Sequence, residues 1–284
     1  MLILCATNQL RIGGTETFTV SLVKELEKRG HTVDLFTMEP GPTALLMAKN
    51  MVSAPKPKYD LILINHITCL RALQRTEGPK VFTSHGIYPE IEQPVDGADH
   101  YVGISQEILD HNDREMDLIH NGIDCEAFKP VKEINEELRT VFCLCQGEKA
   151  KKIVEEACEA AVVDCIILDK REQDIRPYIQ KADLVVSLGR GAYEAMAAGR
   201  NVIVYDTRGY TKFQTADGIV TPENADEIIK NNFSGRRYKI PFSVTDMVEE
   251  LMKYKKEYGA FNREYALKNF NIETQVDKYL EYAK

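Results

Sequence analysis

Short apolar runs of strand length alternate with amphipathic stretches of helix length from Leu2 to Asp206, and this alternation leaves few folds open. Strands separated by helices have crossovers long enough to run parallel, so the pattern specifies parallel α/β layers. In the first half the strand-like runs are 2–7, 32–37, 60–65, 80–84, 101–104 and 116–120, with helical stretches at 15–29, 43–50, 70–75 and 106–112. In the helix over 15–29, Phe18, Leu22, Val23 and Leu26 make the apolar face, and Gly30 stops it. In the second half the strands read 140–145, 162–169, 183–188 and 201–206, with helices at 148–161 and 174–181. After Thr221 the pattern turns entirely helical, at 224–231, 244–258 and a terminal pair from Asn262 onward.

A chain of 284 residues accommodates two domains of about 140 residues each, both with a core of their own. The polar stretch 129–137 is the expected linker, giving an N-terminal Rossmann-like domain over 1–128, a second over 129–262, and a closing helical segment over 263–284. A net charge of −8 argues against a protein built to coat nucleic acid, which needs clustered lysine and arginine. No apolar run approaches the roughly 18 residues of a membrane span, and the start of the chain runs straight into a strand without a basic leader, so a cytoplasmic protein is expected. The seven cysteines are scattered without a C-x-x-C pair, the pattern of buried reduced thiols.

The stretch from Gly189 to Gly199 places a glycine turn, Arg190 and Glu194 at the opening of a helix, directly after an apolar strand. The first N–H groups of a helix, with its dipole, attract phosphate. Glu194, one turn in, can accept two hydrogen bonds from a ribose diol. Gly13 and Gly14 open the first long helix without forming a G-x-G-x-x-G dinucleotide loop, leaving bare amides that a sugar or diphosphate can approach. His85 ends the strand 80–84 at the carboxyl edge, where α/β sheets display working residues, and Asn65-His66 ends its neighbour.

Four strings together resemble the retaining glycosyltransferase family 4 of GT-B architecture. They are Gly13-Gly14-Thr15-Glu16 running on to Gly30-His31-Thr32-Val33, Thr83-Ser84-His85, Asn121-Gly122-Ile123-Asp124 with Phe128 and Pro130, and Glu194-Ala195-Met196-Ala197-Ala198-Gly199. They occur in the family's order, and the closing segment 270–280 also resembles the family's last helix, which crosses back to the first domain. The resemblance implies two Rossmann-like domains with parallel sheets facing across a cleft. It also implies sugar transfer from a nucleoside diphosphate donor to an acceptor hydroxyl with retention of configuration and without a metal.

By that resemblance Glu194 holds the donor ribose, and Gly189, Arg190 and Gly191 hold the phosphates. Gly13 and Gly14 meet the sugar or diphosphate, and His85 lies at the sugar. A UDP-sugar is expected ahead of a GDP-sugar, and no separate cofactor. Two departures stand out. Counting back from Glu194 puts Val186 where the family's first glutamate of E-x7-E belongs, and the region after the first strand of the second domain offers Lys149 or Lys152 but no arginine for the diphosphate. A GT-B nucleotide-sugar epimerase and a binding protein without turnover are the alternatives. The acceptor, whether glycan, lipid carrier, small metabolite or modified nucleobase, has no signature in the chain, and peripheral contact with a membrane is open.

Overall fold

The computed structural model describes residues 1–168, 170, 172–208 and 215–283, with the side chain of Thr215 left out. Residue 169, at the end of one expected strand, lies outside the described residues. Two compact units result, Met1–Asp124 with Asn271–Lys284, and Cys125–Phe270.

The first unit is a parallel six-stranded sheet in the order β2-β1-β3-β4-β5-β6. Its elements are β1 (Leu2–Gln9), α1 (Gly14–Lys28), β2 (Thr32–Glu39), a 3-10 segment Pro42–Asn50, β3 (Leu61–Ile64), α2 (Ile67–Ala72), β4 (Lys80–Ser84), a 3-10 turn Glu90–Glu92, β5 (His100–Gly103), α3 (Gln106–His111) and β6 (Asp117–Leu118). Side chains along a strand alternate between faces, and here both faces are covered. Ile3, Cys5, Leu63 and Val81 pack on Phe18, Leu22 and Leu26 of α1. Leu4, Ile62, Ile64 and Phe82 pack on Cys69, Leu70 and Leu73 on the other side. The C-terminal helix Ile272–Leu280 joins the first of these cores through Ile272, Val276 and Tyr279, and the Tyr279 hydroxyl lies 3.1 Å from Thr83 Oγ1.

The second unit contains β7 (Thr140–Cys143), α4 (Glu148–Ala161), β8 (Asp164–Ile167), α5 (Arg176–Lys181), β9 (Leu184–Ser187), α6 (Arg190–Ala197), β10 (Asn201–Asp206), β11 (Thr215–Ile219), α7 (Ala225–Ile228), α8 (Val244–Leu251) and α9 (Lys256–Asn269), after which α10 is the C-terminal helix already described. Its sheet has the order β11-β10-β9-β7-β8, parallel except for β11, which runs antiparallel to β10. Asp183, almost fully buried, fastens the entry to this sheet by accepting from the amides of Asn135, Arg139 and Thr140, each at 3.0 Å.

Residues 263–270 stay with the second unit instead of joining the closing segment. The reason is local: Asn262 donates to Arg200 O, Arg263 donates to both Cys125 O and Ala197 O, and Gly259 lies against Gly199. The expected single helix over 244–258 is two helices. Between them Asn201 Nδ2 donates to Lys255 O at 3.0 Å and the Tyr254 hydroxyl donates to Asn135 O at 2.6 Å, drawing 252–255 out of the helical path. All seven cysteines are free thiols, six of them buried.

Val162 ends α4 in the left-handed region at φ 57°, and the residue is 90% exposed. A β-branched residue is strained there, by about 1–2 kcal/mol relative to glycine's freedom. Val162→Gly is therefore expected to raise stability by about 1 kcal/mol, read as a higher urea midpoint; an unchanged or lower midpoint contradicts the strain.

Candidate active site

In a parallel α/β sheet the usual binding crevice lies outside the carboxyl ends of strands where the strand order reverses. In the first unit that point falls between β1 and β3, and in the second between β7 and β9. The loops that follow these four strands hold Gly13-Gly14, Asn65-His66, Gln146-Gly147 and Gly189-Arg190. The glycine pairs singled out in the sequence therefore stand beside the two topological switch points, each within its own unit.

At the β9–α6 turn, Gly189 takes φ +55° and ψ −126°, a conformation that L side chains avoid, and its amide donates to Phe233 O at 2.7 Å. Gly191 is small for a packing reason: a Cβ there would lie 2.3 Å from Ser187 Oγ and 2.7 Å from Leu144 Cδ2. The start of α6 is thereby pressed onto the ends of β9 and β7. Arg190 and Glu194, expected to reach separately for phosphate and ribose, bind each other. Arg190 Nε donates to Glu194 Oε1 at 2.9 Å, and both side chains are only 7% exposed. Burial raises the Glu194 carboxyl above its ordinary range, and the guanidinium opposes that rise.

The start of α4 is filled from within the chain. The Asp206 carboxylate accepts from the amides of Gln146 at 3.1 Å, Gly147 at 3.0 Å and Thr207 at 2.7 Å, and from Arg208 Nε. The Thr207 hydroxyl accepts from Ala150 N at 3.2 Å, in the first turn of α4. Gly147 makes this close approach possible, because a Cβ there would fall 2.1 Å from Thr207 O. Lys149 projects into solvent beside amides that are already engaged. The partly buried guanidinium near this helix start belongs to Arg208, which the sequence reading did not single out because it sits in no recognisable string.

In the first unit, His85 Nε2 lies 3.0 Å from Asn65 Oδ1, which only accepts, so the ring donates from Nε2. Asn65 Nδ2 in turn donates to Thr19 Oγ1 at 2.9 Å, and that hydroxyl donates to Thr15 O at 2.8 Å. The ring edge meets Phe18 at a centroid distance of 5.1 Å. His85 is thus held between the ends of β4 and β3 and the start of α1. His66 Nδ1 accepts from Asn8 N at 3.0 Å, and burial lowers its pKa to about 4, so the ring is neutral with its proton on Nε2.

Glu92 joins this edge from the 3-10 turn. Its Oε1 accepts from the Thr15 hydroxyl at 3.4 Å, and its Oε2 lies 2.9 Å from the place where a Cβ of Gly86 would be. Glu16 is buried alongside, accepting from Gln9 Nε2 at 3.1 Å. Burial, partly offset by the Thr15 hydroxyl and reinforced by the Glu16 carboxylate, raises Glu92 to about 7. Gly122 serves packing: a Cβ there would lie 2.3 Å from Ile272 Cδ1, at the start of α10.

Comparison with known proteins agrees with this architecture. Residues 12–89, which include Gly13, Gly14 and His85, match the model of Glycosyltransferase Family 4. A search of the curated proteins found no match. Among solved structures, the chain is similar over 100% of its length to 97% of AviGT4, a glycosyltransferase involved in avilamycin A biosynthesis, at TM-score 0.52 and 13% identity. It is similar over 100% of its length to 99% of an α-glucosyltransferase solved with UDP and a 13-mer DNA containing an HMU base, at TM-score 0.59 and 11% identity. Over 98% of its length it also matches 94% of a protein assigned as a UDP-N-acetylglucosamine 2-epimerase from Listeria monocytogenes, at TM-score 0.60 and 11% identity. At these identities the likeness is one of fold, and the fold is GT-B. The chain thus has the GT-B fold, and its segment 12–89 is similar to Glycosyltransferase Family 4. No helix among the described residues is long and apolar enough to cross a membrane.

Proposed function

We propose that this chain moves a sugar from a nucleoside diphosphate sugar, a UDP-sugar ahead of a GDP-sugar, to an acceptor hydroxyl. The observation that carries the reading is the β9–α6 turn at a switch point, where a glycine at φ +55° opens a helix over a buried Arg190–Glu194 pair. In this reading the first amides of α6, at Gly189, Arg190 and Gly191, receive the phosphates, and the Arg190 guanidinium adds charge to them. Glu194 takes the ribose diol, which can compete with or share its bond to Arg190. The Gly13 and Gly14 amides are assigned to the sugar or diphosphate through the family resemblance. The phosphate assignment stays at α6 and does not extend to Lys149, because Asp206 and Thr207 engage the start of α4. Retention of configuration and independence of metal belong to the proposal through the family resemblance.

His85, ordered by Asn65, is placed at the donor sugar or the departing phosphate. A contact that strengthens as charge develops is worth more in the transition state than in the ground state. His85→Ala is expected to lower turnover by at least tenfold while donor affinity changes less than threefold and melting temperature holds, since a hydrogen bond to a group that becomes charged contributes about 1.5–3 kcal/mol. Steady-state kinetics, calorimetry and thermal melting on the same variant make the check, and full activity or global destabilisation removes the assignment.

One observation favours a second reading, that of an epimerase. Removal of a proton from a sugar carbon needs an acid–base group of suitable pKa, and Glu92 at about 7 is such a group. Transfer remains the preferred reading because the matched segment 12–89 is that of a glycosyltransferase family.

A further inference from the structure

The thiols of the second unit have no part in sugar transfer, yet four of them gather in one place. The parallel register Val141↔Cys165 and Cys143↔Ile167 turns Cys143 and Cys165 to one face of the sheet, since side chains two apart on a strand share a face. That face packs on α4. Cys145 follows Cys143 into the same core, and Cys158 enters it from the last turn of α4. Cys158 and Cys165 are in direct contact, their side chains hydrogen-bonded across the short turn 159–163, which Val163 N closes by donating to Cys158 O at 3.0 Å.

The two members of this pair differ in access. Strand β8 is the outermost of its sheet, and among the described cysteines only Cys165 is partly exposed, the others being buried. A partly exposed thiol touching a buried one is the arrangement in which a small oxidant reaches the first sulfur and the second resolves the product. We propose that Cys165 and Cys158 form a peroxide-reactive pair, in which Cys165 attacks a hydroperoxide and Cys158 closes a disulfide between the end of α4 and β8. This assignment stands apart from the transferase reading.

The order of attack follows from the contact. The Cys158 S–H donates to the Cys165 sulfur and lowers the Cys165 pKa against its partial burial and the Glu155 carboxylate, while the same bond and burial raise Cys158. Cys165 therefore ionises first, and the thiolate is the nucleophile. Its sulfur bonds to one peroxide oxygen, the O–O bond breaks, and a water leaves, so Cys165 becomes a sulfenic acid. The Cys158 sulfur then attacks that sulfur, the S–O bond breaks, and a second water carries off the oxygen with the Cys158 proton. Two thiols give up two electrons in all, and one hydrogen peroxide becomes two waters.

The test exposes the reduced, folded protein to hydrogen peroxide and then maps its thiols. The free-thiol count should fall by two, and fragments from cleavage after Glu159, which lies between the two cysteines, should stay joined through Cys158 and Cys165 until dithiothreitol separates them. In Cys158→Ser the reaction should stop at the Cys165 sulfenic acid, trapped by dimedone, and in Cys165→Ser both the adduct and the cross-link should be absent. Should serine at the buried position 158 prevent folding, the fragment map of the wild-type protein decides alone. A disulfide to Cys143 in place of Cys158, dimedone at a cysteine other than Cys165, or a 158–165 link that forms only in urea would overturn the proposal. So would an unchanged thiol count at a peroxide dose that oxidises glutathione in the same solution.

Discussion

Glu194→Ala is expected to lower the free energy of unfolding by about 3–5 kcal/mol, the range for removing one partner of a buried ion pair. The guanidinium of Arg190 is 7% exposed and faces the Glu194 carboxylate at 2.9 Å, so the alanine leaves its charge in a dry site without that carboxylate. A large loss of stability masks any effect on ligand binding. Glu194→Gln is the cleaner probe of function, because it keeps an oxygen that can accept from Arg190 Nε and removes the charge. For that variant UDP affinity is expected to fall tenfold to a hundredfold, or about 1.5–3 kcal/mol. Urea unfolding reads the first effect and calorimetry with UDP and GDP the second. Alanine within 0.5 kcal/mol of the wild type would refute the buried pair, and unchanged nucleotide affinity in a folded glutamine variant would refute the ribose contact.

The second large effect is expected at Asp206, which accepts from three amides and a guanidinium in a fully buried position. These bonds join the end of β10 to the loop before α4, and truncation leaves the amides of Gln146 and Gly147 without their acceptor. Hydrogen bonds to a carboxylate are worth about 1.5–3 kcal/mol each and are not additive, so Asp206→Ala is expected to cost about 3–5 kcal/mol and Asp206→Asn roughly half of that. Chemical denaturation of both variants checks this, and equal small losses in the two would show that the contact is dispensable.

The layered architecture was legible because it is written in local periodicity. The runs 80–84, 148–161 and 201–206 are realised at those residues, since each has an uninterrupted apolar pattern and clear end signals. β11 was missed because Asp217 and Gly218 are poor strand residues. It forms because Asp217 is turned inward to accept from Tyr238 N at 2.7 Å and Gly218 takes φ +81°, neither of which is visible from neighbours in sequence. The interruption of the helix over 244–258 was hidden for the same reason: its cause is Asn201, on a strand 54 residues away.

The candidate site divides along the same line. Gly189, Arg190 and Glu194 are contiguous and could be read as a helix-opening nucleotide motif. That the last two pair with each other depends on their burial, which sequence spacing does not reveal. Asp206 reaches the loop before α4 across 60 residues, and Thr15 meets Glu92 across 77. No string signals such partners; a buried carboxylate becomes conspicuous only once its surroundings are known.

Incubation of the wild-type protein with UDP- and GDP-sugars in deuterated water, with the products separated and the sugars examined by NMR, tests the proposed activity most directly. Sugar transfer, or slow hydrolysis with release of the nucleoside diphosphate and no deuterium at any sugar carbon that keeps its configuration, is the predicted result. A donor recovered as its epimer with deuterium at the inverted carbon would make the protein an isomerase, and saturable nucleotide-sugar binding with no chemistry would make it a binding protein. Either outcome contradicts glycosyl transfer.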